Sequence, residues 1–250
     1  MASGLELVRS PTSMRERLIF ALDLDDVEEV KKLVALLTGE VGMFKVGKQF
    51  FLHAGPQGVK LIQEMGGEVF LDLKFHDIPT TVSKAAVEAT RLSVKMFNVH
   101  ASGSLEMMHR TVKEVQRVCQ QQTLRRPIML AVTVLTSLNK SDLSKVGVDG
   151  EVIDQVVRLA VLSKEAGMDG VVASSHEVAQ IRAACGRRFL IVCPGIRPKG
   201  KEQDDQSRVM TPGEAMRIGA DYIVVGRPIV EAKDPLREAR AIVSEMEKSG

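Results

Sequence analysis

The sequence predicts an α/β protein folded as a single (β/α)8 TIM barrel, and three observations carry that expectation. Short, apolar, β-rich runs alternate with longer amphipathic stretches from one end of the chain to the other. No Pro/Ser-rich linker or block of like charge divides the 250 residues, a length that one closed barrel fills. A short pattern also recurs, as Gly167-Met168-Asp169-Gly170-Val171-Val172 and Gly219-Ala220-Asp221-Tyr222-Ile223-Val224. Each copy reads as a helix-ending glycine, an aspartate and then a strand.

The elements follow in order. A strand over 18–23 leads to a helix over 26–37, with Val27, Val30, Val34 and Leu37 on one face. Strand 43–46 precedes a helical stretch at 55–65, strand 68–73 a helix over 79–92, and strand 96–100 a helix over 104–122, where Met107 and Met108 read as core filler. Strand 127–133 ends in hydroxyls (Thr133, Thr136, Ser137) that suit either turn and N-cap chemistry or ligand contact. Helix 151–166, strand 170–173, helix 176–185 and strand 189–193 come next. The irregular stretch 195–210 has the length of a functional lid. Helix 211–218, strand 222–225 and helix 234–248 complete eight βα units, as expected of a parallel sheet buried on both faces. An open doubly wound sheet is the structural alternative. Residues 1–17 are expected to be an N-terminal extension, and 18–250 the barrel.

Composition removes several functional classes. Lys plus Arg is 34 against 32 Asp plus Glu, a net charge of +2, which argues against a nonspecific polyanion binder. With no Trp, one Tyr and eight Phe, there is little from which to build a base-stacking platform, so no nucleic acid partner is expected. No apolar run is long enough to span a bilayer, and residues 1–17 are too charged for a secretion signal, so no membrane association is expected. Cys119, Cys185 and Cys193 are odd in number and form no C-x-x-C, which suits free thiols in the cytoplasm.

In a barrel the chemistry gathers where strands end. The first strand ends at Asp23, the second carries Lys45, the third runs Asp72-Leu73-Lys74-Phe75-His76-Asp77, and the fourth ends Asn98-Val99-His100. Asp72 and Lys74, two apart on a strand, face one side of the sheet. With Lys45 and Asp77 they could form a mouth of alternating charge. A structural ion-pair network explains a lone D-x-K equally well, and two ammonium groups argue against a bound metal. The loops after strands seven and eight, Pro194-Gly195-Ile196-Arg197 and Gly226-Arg227-Pro228, combine glycine and arginine where this fold habitually holds phosphate. The phosphorylated ligand they imply would be a small molecule.

Two other signals are set aside. Gly42, Gly47 and Lys48 have Walker A spacing, but Gln49 replaces the Mg²⁺-binding hydroxyl and 43–46 reads as strand. The five histidines show no metal-ligand spacing, and His100 suits a core position slightly better than a site.

Taken together, Phe20-Ala21-Leu22-Asp23, Phe44-Lys45-Val46-Gly47, Asp72-Leu73-Lys74-Phe75-His76-Asp77-Ile78-Pro79, Val134-Leu135-Thr136-Ser137, Pro194-Gly195-Ile196-Arg197-Pro198, Asp205-Gln206 and Gly226-Arg227-Pro228 resemble the orotidine 5′-phosphate decarboxylase family in its bacterial form. The segments keep the family's order from Leu18 to about Pro235, departing from its pattern at Thr80 and Cys193. The resemblance implies conversion of orotidine 5′-phosphate to uridine 5′-phosphate and CO₂ with no metal or organic cofactor. It implies Lys74 as proton donor to C6, with Asp72 against the substrate carboxylate and Lys45 and Asp77 completing the charge array. Asp23 and Lys45 would hold the ribose, Thr136 the pyrimidine, and Arg197, Gln206, Gly226 and Arg227 the phosphate. Asp77, Ile78 and Thr81 would come from the partner subunit of a homodimer with shared sites. A Mg²⁺-dependent sugar-phosphate decarboxylase or aldolase, or a non-catalytic nucleotide-binding barrel, are the alternative readings.

Overall fold

The computed structural model describes residues 11–198 and 210–249. Eight strands, β1 (Leu18–Leu22), β2 (Met43–Gly47), β3 (Val69–Phe75), β4 (Met96–His100), β5 (Ile128–Val132), β6 (Gly170–Val172), β7 (Leu190–Cys193) and β8 (Tyr222–Val225), close into a barrel in chain order. Every neighbouring pair is parallel, including β8 with β1, so the open-sheet alternative falls.

Outside the barrel lie α1 (Met14–Arg17), α2 (Val27–Leu37), α3 (Lys48–Glu64), α4 (Pro79–Arg91), α5 (Leu105–Gln122), α6 (Lys140–Lys145), α7 (Val152–Glu165), α8 (Val178–Cys185), α9 (Pro212–Arg217), α10 (Arg227–Val230) and α11 (Pro235–Glu247). Their starts follow local chemistry. Asp26 accepts from the N–H groups of Glu28 and Glu29, Asp234 caps α11, and Thr211 with Glu214 forms a capping box on α9.

The strands separate two apolar layers. Ile19, Met43, Phe70, Met96, Leu130 and Val224 are among those that fill the barrel interior. Phe20, Phe44, Leu71 and Phe97 alternate with them and pack outward against the helices. At Gly170 a Cβ would lie 2.2 Å from the Leu190 carbonyl oxygen, so only glycine fits there.

The recurring Gly-x-Asp pattern is a structural clasp at the strand N-termini. Asp169 accepts from Met129 N–H at 2.7 Å and pairs with both terminal nitrogens of Arg126 at 2.9 Å. Asp221 accepts from Ile191 N–H at 2.8 Å and pairs with Arg182. Each aspartate thus satisfies the second amide of a neighbouring strand and seats an arginine, at the barrel end that serves stability.

Four differences from the sequence reading have physical causes. Helix α3 starts at Lys48 and breaks at Gly55 (φ 60°, ψ −159°), where Pro56 disfavours helical backbone in the residue before it. Strand β3 runs on to Phe75 with a register shift between Leu71 and Phe75. The short α6 follows an Asn139–Asp142 capping box, and Arg227 lies in a helical turn with Pro228 beside it. The Walker A spacing falls on β2, as its strand character required. Cys119, Cys185 and Cys193 are free and buried. Among the described residues, no helix is long and apolar enough to cross a membrane.

Candidate active site

The charged groups at the barrel mouth come from β1 to β3, where Phe70 also lines the cleft, and the lining from β5 to β8 is mostly apolar. The cleft there, about 200 Å³ and open to solvent, has Lys45, Asp72 and Lys74 on one side. Val132, Val172 and Val224 stand on the other, with Thr136, Leu135 and Pro194 at the rim. A ligand with one charged edge and one flat apolar face fits this division.

The charged side is a continuous array. Lys45 Nζ lies 2.8 Å from Asp23 Oδ1 and 3.4 Å from Asp72 Oδ2, and Lys74 Nζ lies 2.7 Å from Asp72 Oδ1. Lys45 and Asp72 are buried, and Lys74 is partly exposed towards the cleft. Burial strengthens each attraction and makes any unpaired member costly. Gly47 keeps this corner open, because a Cβ there would sit 3.1 Å from both Asp23 Oδ1 and Lys45 Nζ.

Asp72 and Lys74 do converge, but not through a regular strand. Lys74 has φ +54°, a left-handed conformation that costs a non-glycine residue on the order of 1–2 kcal/mol. Its N–H donates to Asn98 Oδ1 at 2.8 Å, and Asn98 Nδ2 donates to Asp72 Oδ1 at 2.7 Å. The sequence marked Asn98 only as a polar group near a strand end. Its inward position, between the flanking outward Phe97 and Val99, was the signal available.

Within one chain the charges pair in the order Asp23, Lys45, Asp72 and Lys74. Asp77 is exposed, and its carboxylate accepts from Ile78 N–H at 2.6 Å. Ile78 is 66% exposed, and Thr81 is also exposed. Thr133 serves structure, its hydroxyl donating to the Val172 carbonyl at 3.1 Å, whereas Thr136 lines the cleft.

At the expected phosphate corner, Arg197 is buried, Arg227 is exposed, and Gly226 would bring a Cβ 3.2 Å from Ala21 Cβ. Arg197 N–H donates to the Met210 carbonyl at 3.2 Å and Ile196 bridges to Met210, which fastens the two ends of the 195–210 stretch together. Gln206 lies outside the described residues. His100 is half-buried at the mouth, its ring 5.3 Å from that of His76. Burial, then the neighbouring His76 and Lys74, lowers its pKa to about 4 and keeps it neutral. Among the described residues, no group of three or more His, Cys, Asp or Glu could hold a metal ion.

The comparison with known proteins then decides the family. The sequence model described as "Orotidine 5′-phosphate decarboxylase / HUMPS family" matches residues 16–242. The chain belongs to this family. It is 53% identical over 232 residues to the orotidine 5′-phosphate decarboxylase of Geotalea daltonii, covering 93% of this chain and 96% of that one. The protein of that name from Moorella thermoacetica is 50% identical over 234 residues, 93% of each chain. The crystal structure of orotidine 5′-phosphate decarboxylase from Lactobacillus acidophilus superposes with a TM-score of 0.81 at 35% identity, covering 92% of this chain and 98% of that one. Family membership gives the charge array a chemical context that a lone D-x-K lacks.

One carboxylate away from the cleft lining has a raised pKa. Glu177 closes a capping box with Ser174 after β6, and burial pushes its carboxyl up to about 7. A folded pKa above the unfolded one means that the native state holds the extra proton between about pH 4.5 and 7. Stability from this group is therefore complete below that window and lost as pH rises through it. Glu177→Gln should stabilise the protein by roughly 1–3 kcal/mol at pH 8, with the gain shrinking towards pH 5. Urea unfolding at both pH values measures this, and an equal gain at both would show that Glu177 does not titrate in the window.

Proposed function

We propose that this protein decarboxylates orotidine 5′-phosphate to uridine 5′-phosphate and CO₂, a carboxy-lyase step in pyrimidine nucleotide synthesis. The observation that carries the reading is the unbroken Asp23–Lys45–Asp72–Lys74 array at the cleft, in a chain about half identical to proteins named for that activity. The bond from C6 to the carboxylate breaks, and its electron pair stays on C6. The substrate offers no conjugated sink for that pair, so the protein must supply the stabilising field. The Lys74 ammonium stabilises the developing carbanion and gives C6 its proton, and solvent then reprotonates the lysine. Asp72 orients Lys74 and sets a negative charge beside the departing carboxylate.

The other roles follow the division of the cleft. The valines of β5, β6 and β8 receive the pyrimidine face, Thr136 its polar edge, and Asp23 with Lys45 the ribose hydroxyls. Arg197, Gln206, Gly226 and Arg227 hold the phosphate, and closure of the 195–210 loop would let remote binding energy assemble the reactive site. Asp77, Ile78 and Thr81 serve the site of a second copy in a homodimer; their exposure away from their own chain's array supports this. We read residues 1–17 as an extension to the catalytic barrel of 18–250. The free thiols and balanced charge support a cytoplasmic enzyme with no nucleic acid or membrane partner.

An ultraviolet assay of orotidine 5′-phosphate loss by chelator-treated protein tests the reading. Turnover without added metal supports it, and activity only with Mg²⁺ would favour a sugar-phosphate lyase. Arg227→Ala should lower kcat/KM much more for the phosphorylated substrate than for the bare nucleoside. A charge-assisted contact of this kind contributes roughly 1.5–3 kcal/mol, or about 10- to 100-fold. Equal losses on both substrates would remove Arg227 from the phosphate site.

A further inference from the structure

We infer that Asn98 is a positioning residue for this reaction, holding the backbone of Lys74 and the carboxylate of Asp72 in register with one amide. The inference rests on the decarboxylase reading above. Asn98 is fully buried inside the barrel and is absent from the cleft lining, so it acts through its neighbours and not on substrate.

The hydrogen bonds allow one orientation of the amide. A peptide N–H only donates and an ionised carboxylate only accepts, so Oδ1 must face Lys74 and Nδ2 must face Asp72. The register shift in β3 makes the bond necessary. Around the bulge Lys74 turns left-handed, and Asn98 Oδ1 accepts the N–H that a regular ladder would have paired. Asp72 Oδ1 receives both Asn98 Nδ2 at 2.7 Å and Lys74 Nζ at 2.7 Å. The root and the tip of the Lys74 side chain are thus tied to one rigid unit, which fixes where the ammonium can reach.

The chemistry also explains why the residue is asparagine. A short side chain must offer one acceptor and one donor at the same time. Aspartate has the same shape, but once ionised it would set a carboxylate against that of Asp72. The charged groups around position 98 are Asp72 and Lys74 on β3, with Lys45 of β2 beyond Asp72. The titratable His100, two residues along β4 and held neutral by burial and by His76 and Lys74, is common to wild type and variants, so it cancels from their ratio. Its pairing partner on β5, Leu130, adds none.

The test compares wild type, Asn98→Ala and Asn98→Asp by melting curve, uridine 5′-phosphate affinity and kcat against pH. Asn98→Ala should lose roughly 100-fold in kcat, the scale of a small misplacement at a reacting centre. Its Kd for uridine 5′-phosphate should stay within about threefold, because phosphate and ribose are held elsewhere. Asn98→Asp should recover as pH falls, its kcat relative to wild type rising by up to about tenfold per unit while the acid form restores the donor. A purely structural role would lower the melting temperature without this added acid limb. A folded Asn98→Ala within threefold of wild-type kcat, or an Asn98→Asp profile parallel to wild type, would overturn the inference. If the alanine variant does not fold, the isosteric aspartate variant decides alone. An inactive wild type would instead overturn the decarboxylase reading, and this inference with it.

Discussion

Replacing Lys74 with alanine is expected to abolish decarboxylation while leaving a folded protein that still binds uridine 5′-phosphate. On the proposed mechanism, C6 then has no proton donor and the carbanion loses its stabilising ammonium. A preorganised charge at a developing anion commonly accounts for factors of 10² to 10³, and a general acid for a further 10² to 10⁴. A loss of at least about 10⁴-fold is therefore expected. The fold should survive, because Asp72 keeps its hydrogen bond from Asn98 and its pairing with Lys45. The variant also loses a side chain that is partly exposed and not part of the apolar core. Product affinity by calorimetry and turnover by ultraviolet absorbance measure the two halves of the claim. Retention of more than a small fraction of turnover would take Lys74 out of its role.

The second large effect is complementation between two inactive variants. Lys74→Ala and Asp77→Ala should each be nearly inactive alone. If Asp77 serves the partner's site, a mixed dimer has one site with both lesions and one site with neither. Random reassortment puts about half the dimers in mixed form, so roughly a quarter of wild-type sites should return on mixing. If both residues served one chain's site, every site would keep a lesion. A mixture that stays inactive, with subunit exchange confirmed by an independent label, sinks the shared-site model.

The short-range features explain how much could be anticipated. Alternating apolar runs and Asp26, Thr211 and Asp234 at helix starts depend on residues a few positions apart. Their physics is local, so all eight strands were expected close to where they lie. The break in α3 was less legible. Gly55-Pro56 marks a boundary, but the helical turns before it carried no signal strong enough to claim residues 48–54.

The site divides in the same way. Asp72 and Lys74 are two residues apart, and strand periodicity anticipates their convergence, although a bulge and not a regular pleat produces it. Lys45 and Asp23 could be placed by expecting their strand ends at one face of a barrel. The sequence by itself therefore determined the barrel and most of the residues that carry charge at its mouth. Only the tertiary structure decided how those charges pair. The carboxylate beside Lys45 is Asp23, and Asp77 turns instead to the adjacent backbone of Ile78. Only the structure showed Lys74 in a left-handed turn, because intrinsic preference disfavours lysine there and the conformation stands on an acceptor 24 residues away, at Asn98. Propensity and periodicity describe a chain over a few residues. A hydrogen bond between neighbouring strands exists only after register, bulge and closure have brought its partners together.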